Sequence, residues 1–577
     1  MSGYIFKDVV IIGGGPAGMA VADRLYDLGI KDIILFEKES YLGGVLPQCI
    51  HDGFGLIKFA ENLSGPEYSA IYTNRLKEKN IDVRLCSTVM EISCEKGPAT
   101  AGDFPVAFHT SVSCISKNDL SDGSDAPDGT IELITRAIVL ASGCREKNRS
   151  NMYIPGTRPD GIFTAGTAQS FVNLHDLMPG KEAVILGSGD IGLIMARRLT
   201  LEGCKVKCVA EIDSVSGGLK RNIKQCLDDY GIPLLLNTTV TNIFGFPRVE
   251  AVEICNVKHD EVNKTFTILK DTARIISCDT LILSAGLLPE NSLIQDLDYA
   301  FSGEVSGKVL GEPSSELFGE LSSEFSGQPF SKVSGEPSSD TYCNPSCGPS
   351  SELSSELSCG PSSELSSELS SDTYCDPSLD PSKDAFCDPS LDPSWKDGVF
   401  LCGNALFVHG LVDDVSQSGE KVAEDILEWL QKGVSSSKYS LSMVNDTRAE
   451  NMEFLRLNRL ENIANADKNT ITCILCPTSC EIDENLKGGK CPKGAEYALE
   501  EMRAPKRILT SSIKIENEDA LVSVRTKTPL PKEMIPEAIN KLRQMTVTPP
   551  IKCGDLICSD FMLRGIDLIA TRDFPLW

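Results

Sequence analysis

The stretch Val9-Val10-Ile11-Ile12-Gly13-Gly14-Gly15-Pro16-Ala17-Gly18 decides the fold of this chain. Four apolar residues predict a buried strand, the glycines predict a turn, and an alanine-rich helix follows as far as Leu28. In such a Gly-x-Gly-x-x-Gly turn, the second glycine lets the backbone approach a pyrophosphate, and the helix N-terminus supplies partial positive charge. The predicted contacts of this first loop are Gly13, Gly15, Pro16, Ala17 and Gly18.

A carboxylate follows the first loop at the spacing that ribose binding requires. Glu37 stands nineteen residues beyond Gly18, directly after the apolar run 33–36. At the end of the second strand, such a side chain accepts hydrogen bonds from a ribose diol. A lone glycine turn is a weak signal, but here the strand, the helix and the acid are all in register. Residues 1–150 therefore predict the first part of a dinucleotide-binding domain.

A second loop repeats the pattern within residues 151–290. The apolar run 184–186 enters a turn and a helix, and the next strand, 205–210, ends at an acid. A Glu in that place bonds both hydroxyls of an adenosine ribose and repels a 2′-phosphate, so NAD(H) is favoured. Lys220 and Arg221 nearby leave NADP(H) open. The predicted contacts are Gly187, Gly189, Ile191, Gly192 and Glu211.

Composition sets the class of protein and its layout. The 577 residues exceed what one core usually serves, and the fold class expected is α/β, with two Rossmann-like dinucleotide-binding domains. Residues 302–395 are low-complexity sequence with seventeen Asp and Glu against three Lys, which predicts a disordered acidic insertion. The remaining expectations are a return segment of the first domain at 396–432, a linker at 433–467 and a cysteine-cluster domain at 468–577.

Charge and hydropathy exclude two kinds of partner. A net charge of −27 argues against nucleic acid, because phosphate binding needs clustered Lys and Arg. No apolar run reaches the roughly 18 residues that span a bilayer. The N-terminus has no cationic stretch ahead of an apolar core, so we expect a cytoplasmic protein without a signal peptide.

The first loop with its acid resembles the FAD loop of the pyridine-nucleotide flavoprotein reductases. Gly43-Gly44, Ala141-Ser142-Gly143 and Gly403-Asn404 also match that family. The resemblance implies FAD in the first domain, contacts to it from Gly44, Gly143 and Asn404, and NAD(H) in the second domain. The family usually carries Asp where Asn404 stands, so this contact lacks the family's charge.

Three side chains near the implied flavin are candidate catalytic residues. Disulfide reductases of this family carry two redox cysteines four residues apart, but here Cys49 stands alone. Disulfide reduction by that route is therefore not expected. Cys49 is either a single redox thiol helped by His51 or a buried structural cysteine. His409 follows Gly403-Asn404 and precedes the helix that, in the family, points at the flavin.

Four thiols lie close together in the C-terminal region. Cys473, Cys476, Cys480 and Cys491 fall within nineteen residues, and three of them within eight. This spacing favours a [4Fe-4S] cluster, with zinc as the alternative and unliganded thiols as a third interpretation. The segment resembles the cluster region of molybdopterin oxidoreductases and a small domain of unknown function.

The sequence leads to one functional hypothesis with two rivals. Residues 48–55, 144–156 and 161–173 resemble a bacterial group of FAD/NAD-dependent oxidoreductases associated with glycerol-3-phosphate dehydrogenase. The hypothesis is an oxidoreductase that transfers hydride between NAD(H) and FAD and passes electrons through an Fe-S cluster, with a glycerol-3-phosphate dehydrogenase as implied partner. One rival is an amine or opine oxidase-type subunit. The other is a non-catalytic, flavin-bearing assembly subunit. The oligomeric state stays open.

Overall fold

In the computed structural model, the first glycine loop follows the central strand of a sheet. The model describes residues 5–95, 107–114, 129–260, 265–293, 398–432 and 470–574. The first elements in chain order are β1 (Ile5–Ile12), α1 (Pro16–Asp27), β2 (Ile33–Phe36), β3 (Asp52–Phe54), β4 (Leu63–Ser64), α2 (Gly65–Glu78), β5 (Asp82–Arg84), β6 (Ser87–Glu95), β7 (Ala107–Cys114), β8 (Gly129–Leu140) and β9 (Cys144–Glu146).

Parallel pairing fixes the core of this first half. The sheet order is β5-β2-β1-β8-β7-β6, and Val9 lies between Ile33 and Ala137 in the register. Because β1 is flanked on both sides, its last four residues are buried, which explains their uninterrupted apolar sequence. A distant segment completes the half: β19 (Val399–Leu401) pairs parallel with β8, and α6 (Val412–Lys432) packs on α1.

The second half repeats the strand–loop–helix order in a sheet of its own. Its elements are β10 (Ile162–Thr164), α3 (Ala165–Leu174), β11 (Glu182–Leu186), α4 (Asp190–Leu201), β12 (Lys205–Ala210), α5 (Lys220–Cys226), β13 (Leu234–Leu235), β14 (Thr238–Phe244), β15 (Ala251–Asp260), β16 (Thr265–Ser277), β17 (Thr280–Leu283) and β18 (Leu287–Pro289). The parallel strands follow the order β10-β17-β11-β12-β13, and an antiparallel sheet of β14, β15 and β16 lies beside them.

The C-terminal segment, residues 470–574, has two small cores. Its elements are β20 (Ile471–Thr472), β21 (Glu481–Ile482), α7 (Pro492–Arg503), β22 (Lys506–Arg507), β23 (Thr510–Ile515), β24 (Leu521–Thr526), β25 (Leu530–Pro531), α8 (Ile535–Leu542), β26 (Thr546–Val547), β27 (Leu556–Cys558) and β28 (Leu568–Ala570). One core lies between the hairpin of β20 and β21 and the helix α7. The other core covers the sheet of order β26-β23-β24-β28-β27, and Leu201 of α4 packs against it.

The architecture confirms the expected α/β class with two Rossmann-type units, each with a glycine loop between a parallel strand and a helix; the first sheet also carries the antiparallel strands β6 and β7. The two halves are joined by β9 and β18, which pair antiparallel. The predicted acidic insertion at 302–395 and the predicted linker at 433–467 lie outside the described residues. In the described part of the chain, no helix is both long and apolar enough to cross a bilayer.

Candidate functional site

In the first glycine loop, two glycines have no room for a side chain, whereas a third has open space beside it. Gly13 has a φ of +108°, and a side chain there would meet the backbone of Ala141. A side chain at Gly18 would meet the Gly13 carbonyl, whereas one at Gly15 would meet no atom within 4 Å. The open side of Gly15 lies at the N-terminus of α1, where backbone N–H groups and the helix dipole favour a phosphate.

Glu37 binds the first loop directly. Its side chain is buried, and its carboxylate accepts hydrogen bonds from the Gly14 N–H at 2.8 Å and the Glu39 N–H at 2.9 Å. Burial raises the pKa of Glu37, and the two backbone donors oppose that rise. The carboxylate thus stands beside the loop, at the strand end where a ribose would approach.

The second loop reproduces the backbone contacts of this arrangement, and the Ser188 hydroxyl adds a further hydrogen bond to the acid at 2.5 Å. Glu211 is buried and accepts the Ser188 N–H at 2.8 Å and the Asp213 N–H at 3.1 Å. Gly187 has a φ of +101°, and the nearest atom to a side chain built on Gly189 is 4.0 Å away. Two separate stretches of sequence therefore adopt one geometry, which suits one nucleotide in each half.

The remaining residues that the family resemblance assigned to FAD lie around the first loop. A side chain on Gly44 would come within 3.2 Å of the Gly15 Cα, and one on Gly403 within 2.8 Å of the Ala17 Cβ. Gly143 has a φ of +75° and open space beside it. Asn404 accepts the His409 N–H at 3.0 Å through Oδ1, and its Nδ2 lies 3.6 Å from the Cys144 Sγ.

Cys49 does not have the surroundings of a reactive thiol. Burial raises its pKa to about 12, and its Sγ donates to the Gln169 Oε1 at 3.6 Å. The neighbouring Gln48 bonds the same amide at 3.2 Å and the Gly166 carbonyl at 3.3 Å. A thiol must ionise to act as a nucleophile, so this environment favours the structural interpretation of Cys49.

Both candidate histidines are neutral at ordinary pH. Burial lowers the pKa of His51 to about 4, and it does the same for His409. The His51 Nδ1 lies 3.3 Å from the Asp52 carbonyl. His409 stacks on Phe407 with 4.0 Å between ring centroids, and its buried Nε2 has no hydrogen-bond partner among the described residues.

The four C-terminal cysteines share a neighbourhood without forming a metal site as they are placed. The Cys473 N–H donates to the Cys480 carbonyl at 2.8 Å, and the Lys490 N–H approaches the Cys480 Sγ at 3.5 Å. Cys473 is buried, however, while Cys491 is exposed at the start of α7. No three His, Cys, Asp or Glu side chains within the described ranges are grouped to hold a metal ion. The four thiols as placed therefore do not form a coordination shell, although the hairpin brings two of them close together.

One constellation was missed by sequence reasoning. Arg197, Arg198 and Arg221 are all buried, and they lie around the loop that carries His51 and Asp52. Two adjacent arginines on a helix usually mark a solvated face. Here the C-terminal segment covers that face of α4: Arg197 bonds the Ile508 carbonyl, and Arg198 bonds the hydroxyls of two serines of β23.

Known proteins resemble the chain over about half of its length. An opine oxidase subunit of Agrobacterium tumefaciens (strain Ach5) is 24% identical over 301 residues, which are 50% of this chain and 54% of that protein. Mitochondrial dihydrolipoyl dehydrogenase of Caenorhabditis elegans is 25% identical over 301 residues, 49% of this chain and 55% of that protein. The chain thus spans about half the length of these relatives.

A solved structure of thioredoxin reductase from Lactococcus lactis superposes on the chain with a TM-score of 0.42 and 15% identity. The match covers 74% of this chain and 99% of that chain. Residues 492–572 match a family of unknown function, DUF1667. The family model described as pyridine nucleotide-disulphide oxidoreductase matches residues 7–306, more than half of the 577. The chain belongs to the pyridine nucleotide-disulphide oxidoreductase family.

Proposed function

We propose that the chain is an FAD-dependent oxidoreductase that transfers hydride between NAD(H) and flavin. The proposal is carried by the repeated loop geometry, in which Gly14 and Ser188 donate backbone N–H groups to Glu37 and Glu211 at 2.8 Å. Each loop also has a glycine whose open side can admit a phosphate. Family membership supports the same pair of nucleotides. FAD, when bound, accepts two electrons as hydride and can release them singly.

The surroundings of the second loop favour NAD(H) over NADP(H). A 2′-phosphate would need a free cation beside Glu211. Lys220 instead lies 3.5 Å from the Glu481 carboxylate, and Arg221 lies 3.8 Å from the Asp52 carboxylate. Both nearby cations are thus engaged by other acids, while the buried Glu211 would repel the extra phosphate.

The chain's own residues suit a hydride transfer that needs little proton chemistry. We assign Cys49 a structural role, because its pKa is raised to about 12 and the loop offers it no partner thiol. His409 is the side chain we propose to contact the flavin or its substrate, since its buried Nε2 lacks a partner among the described residues. As a neutral imidazole it can donate or accept one hydrogen bond there.

Two glycine variants test this proposal and control for each other. A Cβ atom at Gly15 or at Gly189 would meet no protein atom closer than 4.0 Å, so Gly15→Val and Gly189→Val should each disturb the ligand more than the fold. Gly15→Val should purify without flavin. Gly189→Val should keep flavin and its reduction by dithionite but lose anaerobic reduction by NADH. Flavin reduction by NADH at the wild-type rate in Gly189→Val would refute the proposal.

We further propose that the four C-terminal cysteines bind a metal, with [4Fe-4S] favoured over zinc. The support is their spacing in the sequence and the hairpin of β20 and β21, which brings Cys473 and Cys480 together. The test is iron, zinc and acid-labile sulfide per chain after anaerobic purification. Cys480→Ser should lose the metal and Cys558→Ser, outside the cluster, should keep it. A wild-type protein free of both metals would contradict this part.

The redox partner of the flavin other than NAD(H) can be tested by comparing candidate reductants. The bacterial resemblance points to a glycerol-3-phosphate dehydrogenase, whereas similarity to the opine oxidase of Agrobacterium tumefaciens favours an amine or opine oxidase-type role. Under anaerobic conditions, NADH, glycerol-3-phosphate and opines can each be offered as the reductant of the bound flavin. Reduction by an opine but not by NADH would replace our proposal with the alternative.

A further inference from the structure

We propose that the chain has an anion-binding site, separate from both glycine loops, that takes a carboxylate or phosphate group. The site is a cavity where three parts of the chain meet. His51 and Asp52 reach it from the first half, Arg197 and Gln225 from the second half, and Thr510 from the C-terminal segment.

Arg197 is the residue that most needs a partner. Only 7% of it is exposed, and no carboxylate lies within 4.0 Å of its guanidinium in the part of the chain that is described. Its contacts are a long hydrogen bond to the Ile508 carbonyl at 3.4 Å and an interaction with Tyr230, with a longer-range attraction to Asp52. A buried guanidinium loses the hydration of its charge, and neutral acceptors replace that hydration only in part.

The other two buried arginines, unlike Arg197, have carboxylate partners. Arg198 lines the same cavity and pairs with Glu202 at 2.6 Å. Arg221, which does not line the cavity, approaches Asp52 at 3.8 Å and also interacts electrostatically with Asp190. Arg197 is therefore the guanidinium that an anion in the cavity would pair with.

His51 adds no positive charge to the cavity. Burial lowers its pKa, the contacts with Asp52 oppose this change, and the charges of Arg221 and Arg197 lower the pKa further. His51 is therefore a neutral hydrogen-bonding group at the cavity.

The lining residues indicate the kind of anion. A guanidinium presents a planar fork of N–H donors that fits the paired oxygens of a carboxylate or a phosphate. Gln225 and Thr510 supply neutral polar groups beside it. The cavity is narrow and bounded by Ile194 and Leu201 on α4, so it suits a small charged group rather than a whole nucleotide.

Calorimetric titration of the flavin-loaded full chain tests this site without any nicotinamide. Inorganic phosphate and acetate are titrated separately at constant ionic strength, with chloride as the counter-ion throughout. We expect one of them to bind at one site per chain. Arg197→Gln should weaken that binding by at least about tenfold, because a charge-assisted hydrogen bond is lost. Arg197→Lys keeps the charge but loses the planar pair of donors, so its affinity for the anion should lie between those of the wild type and Arg197→Gln.

Arg543→Gln is the matched control, because this exposed arginine contacts the end of the same helix at the Leu201 carbonyl but does not line the cavity. It should bind the anion as the wild type does. Absence of binding by both anions, or equal binding by wild type and Arg197→Gln, would overturn the proposal. Flavin content and circular dichroism establish that each variant is folded. Flavin reduction by NADH is measured apart, so the site and the proposed function can fail independently.

Discussion

Glu37 and Glu211 accept the same backbone hydrogen bonds, but they belong to different halves, and Glu211 also accepts one from the Ser188 hydroxyl. Each accepts a loop N–H at 2.8 Å, so each carboxylate shapes the loop as well as the space for a ribose. Replacement of either by Gln removes the charge and swaps one acceptor oxygen for a donor. The effect should therefore be confined to the nucleotide held by that half.

Glu211→Gln should weaken NADH binding by about tenfold, the cost of one charged hydrogen bond, and narrow the preference over NADPH. The measurement is the NADH and NADPH dependence of anaerobic flavin reduction. Glu37→Gln is the control, because it should change flavin retention rather than nucleotide preference. An unchanged NADH dependence in Glu211→Gln would mean that the second loop does not hold the ribose there.

His409 should make the chain less stable in mild acid. Burial lowers its pKa from 6.5 to about 4, so between those values the unfolded chain binds a proton that the folded chain excludes. The free energy of unfolding therefore falls as pH drops, by up to about 1.4 kcal/mol per pH unit. Urea unfolding of His409→Gln between pH 4.5 and 7 should show a shallower slope than the wild type. His175→Gln, at an exposed histidine, should leave the slope unchanged.

At the scale of elements, the contact between α1 and α6 connects the return segment with the first loop. A side chain on Gly419 of α6 would meet the Ala17 carbonyl, and Ala17 lies in the first turn of α1, directly after the loop. Tyr68 of α2 also donates to Ser416 of α6 at 2.8 Å. A segment about 400 residues away in sequence thus sets the distance between the loop and its neighbouring helix.

Gly419→Val should destabilise the fold by about 1–3 kcal/mol, because the packed backbone has to move to admit the side chain. Flavin should be lost with it, since the displaced backbone is the first turn of α1, which adjoins the loop. Gln417→Val on the same helix is the control, because Gln417 is exposed. Denaturant midpoints and flavin per chain report the two effects. Full flavin occupancy in Gly419→Val would show that the loop tolerates the shift.

The elements near the loops could be predicted because their signals are local. The strand Ile5–Ile12, the turn and Glu37 all fall within forty residues, and apolar runs mark strands buried on both sides. The burial of Arg197 could not be predicted in this way, because its cover is Ile508, 311 residues further along. The metal prediction used spacing alone, which cannot show that Cys473 is buried while Cys491 is exposed.

At the scale of the whole molecule, the C-terminal segment is bound to both halves. Arg507 forms paired hydrogen bonds to Asp229 and to Glu501, with shortest distances of 2.7 Å. Arg525 bonds the Glu67 carboxylate at 2.9 Å in the first half. Burial raises the pKa of Asp229, but the bonds from Arg507 outweigh it and hold that pKa below its usual value.

Arg507→Met should cost about 3–5 kcal/mol of unfolding free energy, because it leaves the Glu501 carboxylate without its cation and Asp229 with Lys532 alone. Arg84→Met is the matched control: its ion pair with Asp82 is equally short but exposed, so its loss should cost less than about 1 kcal/mol. Guanidinium unfolding monitored by fluorescence measures both. Equal costs for the two variants would show that the Arg507 contacts add no stability.

The double attachment has a consequence for how the protein melts. Multi-domain chains commonly unfold in several separate transitions on heating. Here, unfolding of the second half would break the ion pair of Arg507, and unfolding of the first half would break that of Arg525. Either event would leave an unpaired charge in the part that stays folded, so neither half is expected to unfold alone. A calorimeter should accordingly register a single heat-absorption peak for both halves and the C-terminal segment.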